Sequence, residues 1–126
     1  MKQIEQTYEI KAPISKVWEA LTSQELAEAW GAGPAIVNAI IGGEFSYWDG
    51  DIHGKFTKLD ENTFIEQDWF GHDHPERKFN VSFSFEDSGD TTLVHLLYVG
   101  EIEDEAKDKK DWKVYYFDPI KQLLEK

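Results

Sequence analysis

Residues 79–99 read FNVSFSFEDSGDTTLVHLLYV, and this stretch carries the pattern that decides the fold. From residue 79 to residue 85 large apolar side chains alternate with polar ones, which is typical of a strand buried on one face. Residues 87–90, DSGD, supply the residue types of a tight turn. The apolar run at residues 91–99 predicts a second strand that returns beside the first. The segment is therefore predicted to be a hairpin of an antiparallel sheet.

The chain before this hairpin continues the strand pattern as far back as residue 34. The apolar run at residues 35–41 predicts a strand, and the pair Asp49 and Gly50 predicts a tight hairpin turn. Residues 60–62, DEN, turn the chain once more. The region from residue 34 to residue 100 therefore predicts an antiparallel meander of five or six short strands.

A strand and two short helices are predicted in front of the meander. Residues 3–10 alternate between apolar and polar side chains, as a half-buried strand does. The first helix covers residues 14–21, with Ser15 near its start as a candidate cap. In the second helix Thr22 and Glu25 have the spacing of a capping box, in which each side chain binds a free backbone amide of the first turn.

The end of the chain changes to a helical period. From Asp104 onward apolar residues recur every three or four positions. Pro119 lies inside this pattern, and because proline removes one helical hydrogen bond we expect a kink or break at residues 115–118. This helix is the only predicted element long enough to cover the apolar face of the sheet. The predicted fold class is α+β, a curved antiparallel sheet around a long C-terminal helix, in the order β-α-α-β(5–6)-α.

Length and composition limit the class of protein. A chain of 126 residues predicts a single domain over residues 1–126, and an aromatic fraction of 14% argues against disorder. The absence of cysteine excludes disulfides and thiolate chemistry. With 13 Lys and Arg against 25 Asp and Glu, the net charge of -12 repels phosphate, so no nucleic-acid partner is expected. No apolar run is long enough to span a bilayer, and the polar N-terminus predicts no signal peptide. We therefore expect a soluble, cytoplasmic domain without a membrane partner.

Four further stretches are similar to those of one known family. Residues 13–22, PISKVWEALT, resemble the first-helix signature of the START-like, Bet v 1-like superfamily, which has the helix-grip fold. Residues 42–56, GGEFSYWDGDIHGKF, resemble a Gly-Gly-x-Phe motif followed by Asp-Gly-x-x-x-Gly-x-Phe. Residues 65–69, IEQDW, and residues 111–121, DWKVYYFDPIK, resemble two later motifs. Together they resemble the C-terminal domain of the activator of the ATPase of the 90-kDa heat-shock chaperone.

The resemblance implies a non-enzymatic interaction module that binds the 90-kDa chaperone and stimulates its ATPase, without a cofactor. The chain departs from the family at two motif positions, because Asp111 stands where the family has glycine and Phe70 where it has arginine. Full-length members also carry an N-terminal domain responsible for much of the activation, and nothing in this sequence corresponds to it. The resemblance therefore predicts the fold more firmly than the activity.

Residue patterns that suggest catalysis or metal binding are sparse. The run His72, Asp73 and His74 could suggest a metal site, since imidazole and carboxylate groups ligate zinc. The two histidines lie in a predicted loop, however, and no further ligand follows at a typical sequence spacing, so a solvated turn is the preferred interpretation. Glu66 and Asp68 lie on one strand face, about 7 Å apart by strand rise, and could do acid–base work or simply face a groove or water. No nucleophile motif or phosphate loop is present, so we predict no catalytic residue, no metal and no cofactor.

Two binding hypotheses remain, from different classes of function. In the first, an acidic patch at the start of the last helix docks on a basic surface of a partner protein; its alternative role is that of a solvated, well-capped helix start. The candidate docking residues are Glu101, Glu103, Asp104 and Glu105.

In the second, a small hydrophobic molecule binds in a cavity between the sheet and the last helix. Lone strand histidines such as His53 are usually structural, but His95 is a candidate to point into that cavity. Five tryptophans could instead fill the cavity, which would favour the interaction module. The oligomeric state is expected to be a monomer or weak dimer. The candidate cavity residues are Trp18, Trp30, Phe45, Tyr47, Trp48, Trp69, Phe83, His95, Trp112 and Tyr116.

Overall fold

The computed structural model describes residues 2–71 and 76–125, which form seven strands and a small set of helices. The strands and the first two helices follow one another as β1 (Lys2–Ile10), α1 (Ile14–Thr22), α2 (Gln24–Ala29), β2 (Ile36–Val37), β3 (Glu44–Tyr47), β4 (Ile52–Asp60), β5 (Phe64–Gly71), β6 (Phe79–Asp87) and β7 (Thr92–Gly100). The chain ends in α3 (Glu105–Asp111), a π-helical segment (Trp112–Phe117) and α4 (Asp118–Leu124).

The seven strands form one antiparallel sheet in the order β1-β7-β6-β5-β4-β3-β2. Strands β2 to β7 are neighbours in chain order, which is the predicted meander. Strand β1 closes the other edge by pairing along its whole length with β7, from Lys2 opposite Gly100 to Ile10 opposite Thr92. The predicted α+β class and helix-grip architecture are confirmed.

The core lies between the sheet and the C-terminal helices. Tyr116 is central to it, because its ring stacks on Phe83 at 5.8 Å between centroids and approaches Trp30 at 5.0 Å. Burial of such large rings is the main source of stability in a domain of this size. The interior beneath the helix is therefore filled by aromatic side chains. The fully buried large residues include Tyr47, Tyr116, Phe45, Phe56, Phe83, Phe117, Ile4, Ile10, Leu21, Ile65, Leu96 and Ile120.

The helix caps differ from the predicted ones. Pro13 occupies the N-cap of α1 without a side-chain hydrogen bond, so Ser15 lies inside the helix and does not cap it. Thr22 donates its hydroxyl proton to the carbonyl of Trp18 at 2.8 Å. Ser23 caps α2 instead, since its Oγ accepts the amide of Leu26 at 3.2 Å. The predicted capping box is therefore wrong by one residue.

The C-terminal helix is interrupted, as Pro119 predicts, but in a different form and place. Residues 112–117 adopt the π-helical pattern, in which the amide of Asp118 donates to the carbonyl of Lys113. Pro119 then lies in the first turn of α4, the part of a helix that accepts proline best. The expected kink at 115–118 is thus replaced by a wider helical turn.

The predicted strand at residues 35–41 is mostly wrong. Only Ile36 and Val37 pair with β3, and the chain then turns, with the amide of Gly43 donating to the carbonyl of Ile40 at 2.8 Å. Ile40 and Ile41 are 59% and 69% exposed. Hydrophobicity in this run therefore does not reflect burial. Among the described residues, no helix is long and apolar enough to cross a membrane.

Candidate binding groove

A groove opens at one end of the molecule, where the β3–β4 turn and strands β5 and β7 approach α3 and the π-helical segment. Its main cavity has a volume of about 420 Å³. One side of the cavity is aromatic and another is acidic. The lining residues are Trp48, Asp51, Ile52, Trp69, Tyr98, Asp108, Asp111, Trp112, Tyr115 and Tyr116.

The aromatic wall is held in place by ring packing and indole hydrogen bonds. Trp112 lies 4.8 Å from Trp69 and 5.4 Å from Tyr98, measured between ring centroids. The indole N–H of Trp69 donates to Oε1 of the buried Gln67 at 2.6 Å. The indole N–H of Trp48 donates to the carbonyl of Gly31 at 2.9 Å. These contacts restrict the rings before any ligand arrives, which lowers the entropic cost of binding.

Tyr115 differs from the other rings because it is 61% exposed. It sits at the mouth of the groove on the π-helical segment. Tyr116, the next residue, is buried, and burial raises the pKa of its hydroxyl well above the usual value. The helix therefore contributes one exposed ring, Tyr115, and one buried ring, Tyr116, to the same cavity wall.

The acidic wall comes mainly from α3. Partial burial raises the pKa of the Asp108 carboxyl, and the charges of Asp111 and Asp104 raise it further, while Lys107 opposes them. Lys107 is itself committed to Asp111, with its Nζ 2.7 Å from Oδ2. Burial and the Asp108 charge also raise the pKa of Tyr98. Asp108 is therefore a partly buried carboxylate that lines the same cavity as the aromatic rings.

The groove continues into an adjoining depression of about 360 Å³. Asp51, Tyr98 and Asp108 are among the residues that line both spaces. Its rim contains Arg77, whose Nη1 lies 2.5 Å from Oε1 of Glu103 and whose Nε lies 3.7 Å from Oε2 of Glu101. The two spaces together form the feature that we call the groove.

Four of the ten candidate cavity residues line the groove: Trp48, Trp69, Trp112 and Tyr116. Four others, Trp30, Phe45, Tyr47 and Phe83, belong to the filled core. Trp18 packs edge-on against Phe85 at 5.9 Å, away from the groove. The structure therefore brings together only part of the predicted set.

His95 lies on the opposite face of the sheet, so the expectation that it points under the last helix is wrong. Its neighbours Val94 and Leu96 are buried toward the helix, and the alternation of a strand turns His95 outward. Nδ1 of His95 is 2.9 Å from Oγ1 of Thr7, and Nε2 is 3.6 Å from Glu86. This histidine is a surface residue of the sheet.

Three of the four candidate docking residues line the adjoining depression, namely Glu101, Glu103 and Asp104. Asp104 also caps α3, because its Oδ1 accepts the amide of Lys107 at 3.1 Å. Glu105 is not part of the lining and lies 3.8 Å from Lys109 one helical turn away. The acidic patch thus caps the helix and forms an exposed rim, whereas docking on a partner stays a prediction.

Glu66 and Asp68, the pair considered for acid–base work, have separate surroundings. Glu66 accepts hydrogen bonds from Thr57 and Asn80, while Asp68 lies in a different depression beside His53. His72, Asp73 and His74 lie outside the described residues. Within residues 2–71 and 76–125 no group of three or more His, Asp or Glu side chains is placed to hold a metal ion.

Several groove residues were missed by the sequence analysis, although a signal for them exists. Asp108, Asp111 and Tyr115 were missed, and with the predicted Trp112 they are spaced i, i+3, i+4 and i+7, so the four share one helix face. That face mixes acidic and aromatic residues and is therefore not an apolar stripe. Asp51, Ile52 and Tyr98 have no comparable signal, because only the folded sheet brings them to the helix.

The sheet wrapped around a C-terminal helix, with a groove at its end, defines a START-like, helix-grip protein. The chain belongs to the family described as activator of Hsp90 ATPase homolog 1-like protein, whose sequence pattern matches residues 11–125. It is 32% identical over 111 residues to the human activator of 90 kDa heat shock protein ATPase homolog 1, covering 86% of this chain and 33% of that protein. The chain spans about a third of the length of the curated relatives it matches.

Solved structures share the fold over nearly the whole chain. A crystal structure of an HSP90 activator from Plasmodium falciparum superimposes with a TM-score of 0.83 at 21% identity, covering 98% of this chain and 96% of that one. The solution structure of the Aha1 dimer from Colwellia psychrerythraea gives a TM-score of 0.83 at 23% identity, with coverage of 98% and 96%. At these identities the likeness establishes the fold alone.

Proposed function

We infer that this protein is a non-enzymatic interaction module that binds the 90-kDa heat-shock chaperone and stimulates its ATPase. The observation that carries the proposal is the family match, which extends over residues 11–125 and thus includes every helix and strand of the domain except β1. The aromatic core supports it, because Trp30, Phe45, Tyr47 and Phe83, four of the ten candidate cavity residues, pack into the core and do not line the groove.

Stimulation requires more than tight binding. A regulator shifts a conformational equilibrium only by the difference between its affinities for the two states. The module is therefore proposed to bind the ATPase-competent conformation of the chaperone better than the resting one. The acidic rim of the groove, with Glu101 and Glu103, would accelerate encounter with a basic surface.

The test is the ATPase rate of the 90-kDa chaperone from the same organism, titrated with this protein. We expect a saturable rise that a double charge reversal, Glu101→Lys with Glu103→Lys, reduces severalfold. The matched control, Asp60→Lys with Asp90→Lys, changes the net charge equally at two exposed turn positions and should retain the stimulation. The proposal would be refuted if the protein at saturating concentration neither stimulated the ATPase nor bound the chaperone in calorimetry.

A second candidate function is favoured by the size of the main cavity. Its volume of about 420 Å³ lies within the range of sites for small molecules, and much of its wall is aromatic. In this alternative a small hydrophobic ligand binds in the groove. Nile red, an uncharged apolar dye, should then gain fluorescence with the wild type and lose most of that gain with Tyr115→Ala. Val114→Ala, at another exposed position of the same helix, is the control.

A further inference from the structure

We propose that the groove receives a basic segment of a partner protein, whose lysine or arginine side chain lies among the aromatic rings with its charge beside Asp51 and Asp108. This deepens the proposed function and rests on it for the identity of the partner.

The charge of the groove is strongly unbalanced. Six carboxylates line its two spaces, against two cations, Arg77 and Lys107. Both cations are already engaged, Arg77 by Glu101 and Glu103 and Lys107 by Asp111. In the part of the chain that the structure describes, no lysine, arginine or histidine forms an ion pair with Asp51 or Asp108. Lys107 acts on Asp108 only from beyond ion-pair distance, so neither of these two carboxylates has a cation of its own.

The position of Asp108 makes that deficit energetically unfavourable. Its partial burial and the nearby carboxylates disfavour the ionised form, as the raised pKa records. A cation placed beside Asp108 would remove this penalty, whereas an uncharged ligand would increase it by displacing water.

The aromatic wall suits the same occupant. Trp48, Trp69, Tyr98, Trp112 and Tyr115 surround the cavity, and the faces of tryptophan and tyrosine rings attract guanidinium and ammonium groups. Arginine in particular stacks on such rings while it pairs with a carboxylate. Rings and carboxylates in one cavity therefore select a basic side chain over an apolar or acidic one.

The length of the groove indicates a chain segment rather than a single small cation. The main cavity and the adjoining depression share Asp51, Trp69 and Asp108, and the rim continues to Glu101 and Glu103. A single basic side chain in the first space would leave the acidic rim of the second unused. A second copy of this chain is disfavoured as occupant because each copy carries a net charge of -12.

The test uses a six-residue peptide that contains two arginines, and the same peptide with both arginines replaced by citrulline, which is uncharged but nearly the same shape. Binding is followed by the NMR signals of the indole N–H groups of Trp48 and Trp112. We expect the arginine peptide to shift both signals saturably, and the citrulline peptide to bind at least tenfold more weakly.

The variant is Asp51→Asn with Asp108→Asn, and its control is Asp60→Asn with Asp90→Asn, which changes the net charge by the same amount. The groove variant should lose about tenfold in affinity for the arginine peptide, and the control should lose less than twofold. Equal binding of the two peptides, no indole shift, or unchanged affinity of the groove variant would overturn the proposal. Indole shifts caused by protein concentration alone would assign the groove to a second copy and overturn it also.

Chaperone binding by the same variants separates this inference from the proposed function. If the chaperone binds the wild type and the groove variant equally, the inference fails and the proposed function stands. If the arginine peptide binds as expected and the chaperone does not, the groove is a site for a basic partner and the chaperone assignment fails.

Discussion

At the scale of single residues, Asp108 is placed where its own charge is unfavourable. The carboxyl is partly buried against the groove, and its pKa is raised by that burial and by the neighbouring acids. A carboxyl with a raised pKa in the folded state lowers stability wherever it must be ionised. We therefore predict that Asp108→Asn increases the free energy of unfolding at pH 7 by a few tenths of a kcal/mol, a small gain because solvent screens a half-exposed group.

The pH dependence of this effect has a definite sign. Below the reference pKa of 3.8 both states of the wild type are protonated, so the two proteins should differ least there. As the pH rises through the folded-state pKa, the wild type loses stability relative to the variant, and the gap should widen. Urea unfolding at pH 3 and pH 7 measures it, because these two values lie on either side of the transition, with Asp60→Asn as the control for net charge. A destabilised Asp108→Asn at pH 7 would contradict the prediction.

The sequence correctly predicts that a serine or threonine side chain caps a helix, but it does not always identify which residue does so. Ser15, Thr22 and Ser23 all have suitable side chains for a cap, but a cap requires extended backbone. Ser23 has it, with φ -109 and ψ 127, whereas Ser15 lies within α1. The caps depend on where Pro13 starts the first helix, which a residue preference alone does not specify.

At the scale of elements, the close pairing of β4 and β5 depends on Gly54. A Cβ at this position would lie 1.7 Å from the carbonyl oxygen of Asp68 and 3.1 Å from the ring of Phe45. Both neighbours belong to the sheet, so the strands must separate to admit a methyl group. We predict that Gly54→Ala lowers the free energy of unfolding by about 3 kcal/mol, at the upper end for overpacking.

Gly71, on the same strand pair, is the control. A Cβ there would meet no atom of the described residues within 4 Å, so Gly71→Ala should change stability by less than about 0.5 kcal/mol. Urea denaturation of both variants gives the comparison. Equal stability of Gly54→Ala and the wild type would show that β4 and β5 are not held as closely as the structure has them.

In the C-terminal helix the sequence predicts that the helix is interrupted, but not the form of the interruption. Pro119 signals an interruption, and one is present. Its π-helical form depends on tertiary packing, because the wider turn lets Trp112, Tyr116 and Phe117 all be buried against the sheet. Likewise the run at residues 35–41 is apolar enough for a strand, but the turn that leads to Gly43 ends the pairing after Val37.

At the scale of the whole molecule, the order of elements was predictable because each strand and helix has its own period in the sequence. The groove was not predictable in the same way. It forms where the β3–β4 turn, β5, β7 and α3 meet, and residues such as Asp51 and Tyr98 become its lining only through that meeting. The aromatic candidates were chosen by residue type, which does not separate a ring in the core from a ring on a cavity wall.

Net charge is a property of the molecule as a whole, and it predicts how the domain responds to salt. At pH 7 the formal charge of -12 is spread over a surface whose described ion pairs, such as Lys113 with Asp118, are mostly exposed. Self-repulsion of the excess acids opposes compaction, and exposed pairs offset little of it. Raising NaCl from about 10 mM to about 300 mM shortens the Debye length from about 30 Å to less than 8 Å. We therefore predict that the melting temperature rises with NaCl by about 3–5 °C, which corresponds to about 1 kcal/mol for a domain of this size.

The control for this prediction is the variant Asp60→Asn with Asp90→Asn, which removes two exposed charges from turns outside the groove. It should be more stable than the wild type at low salt and gain less from added NaCl, because there is less repulsion to screen. Calorimetric scans at the two salt concentrations measure both effects. A melting temperature that falls as NaCl is added would mean that ion pairs such as Arg77 with Glu103 outweigh the repulsion. In that case the excess acids would be balanced within the fold, and the unpaired charge assigned to the groove would lose its support.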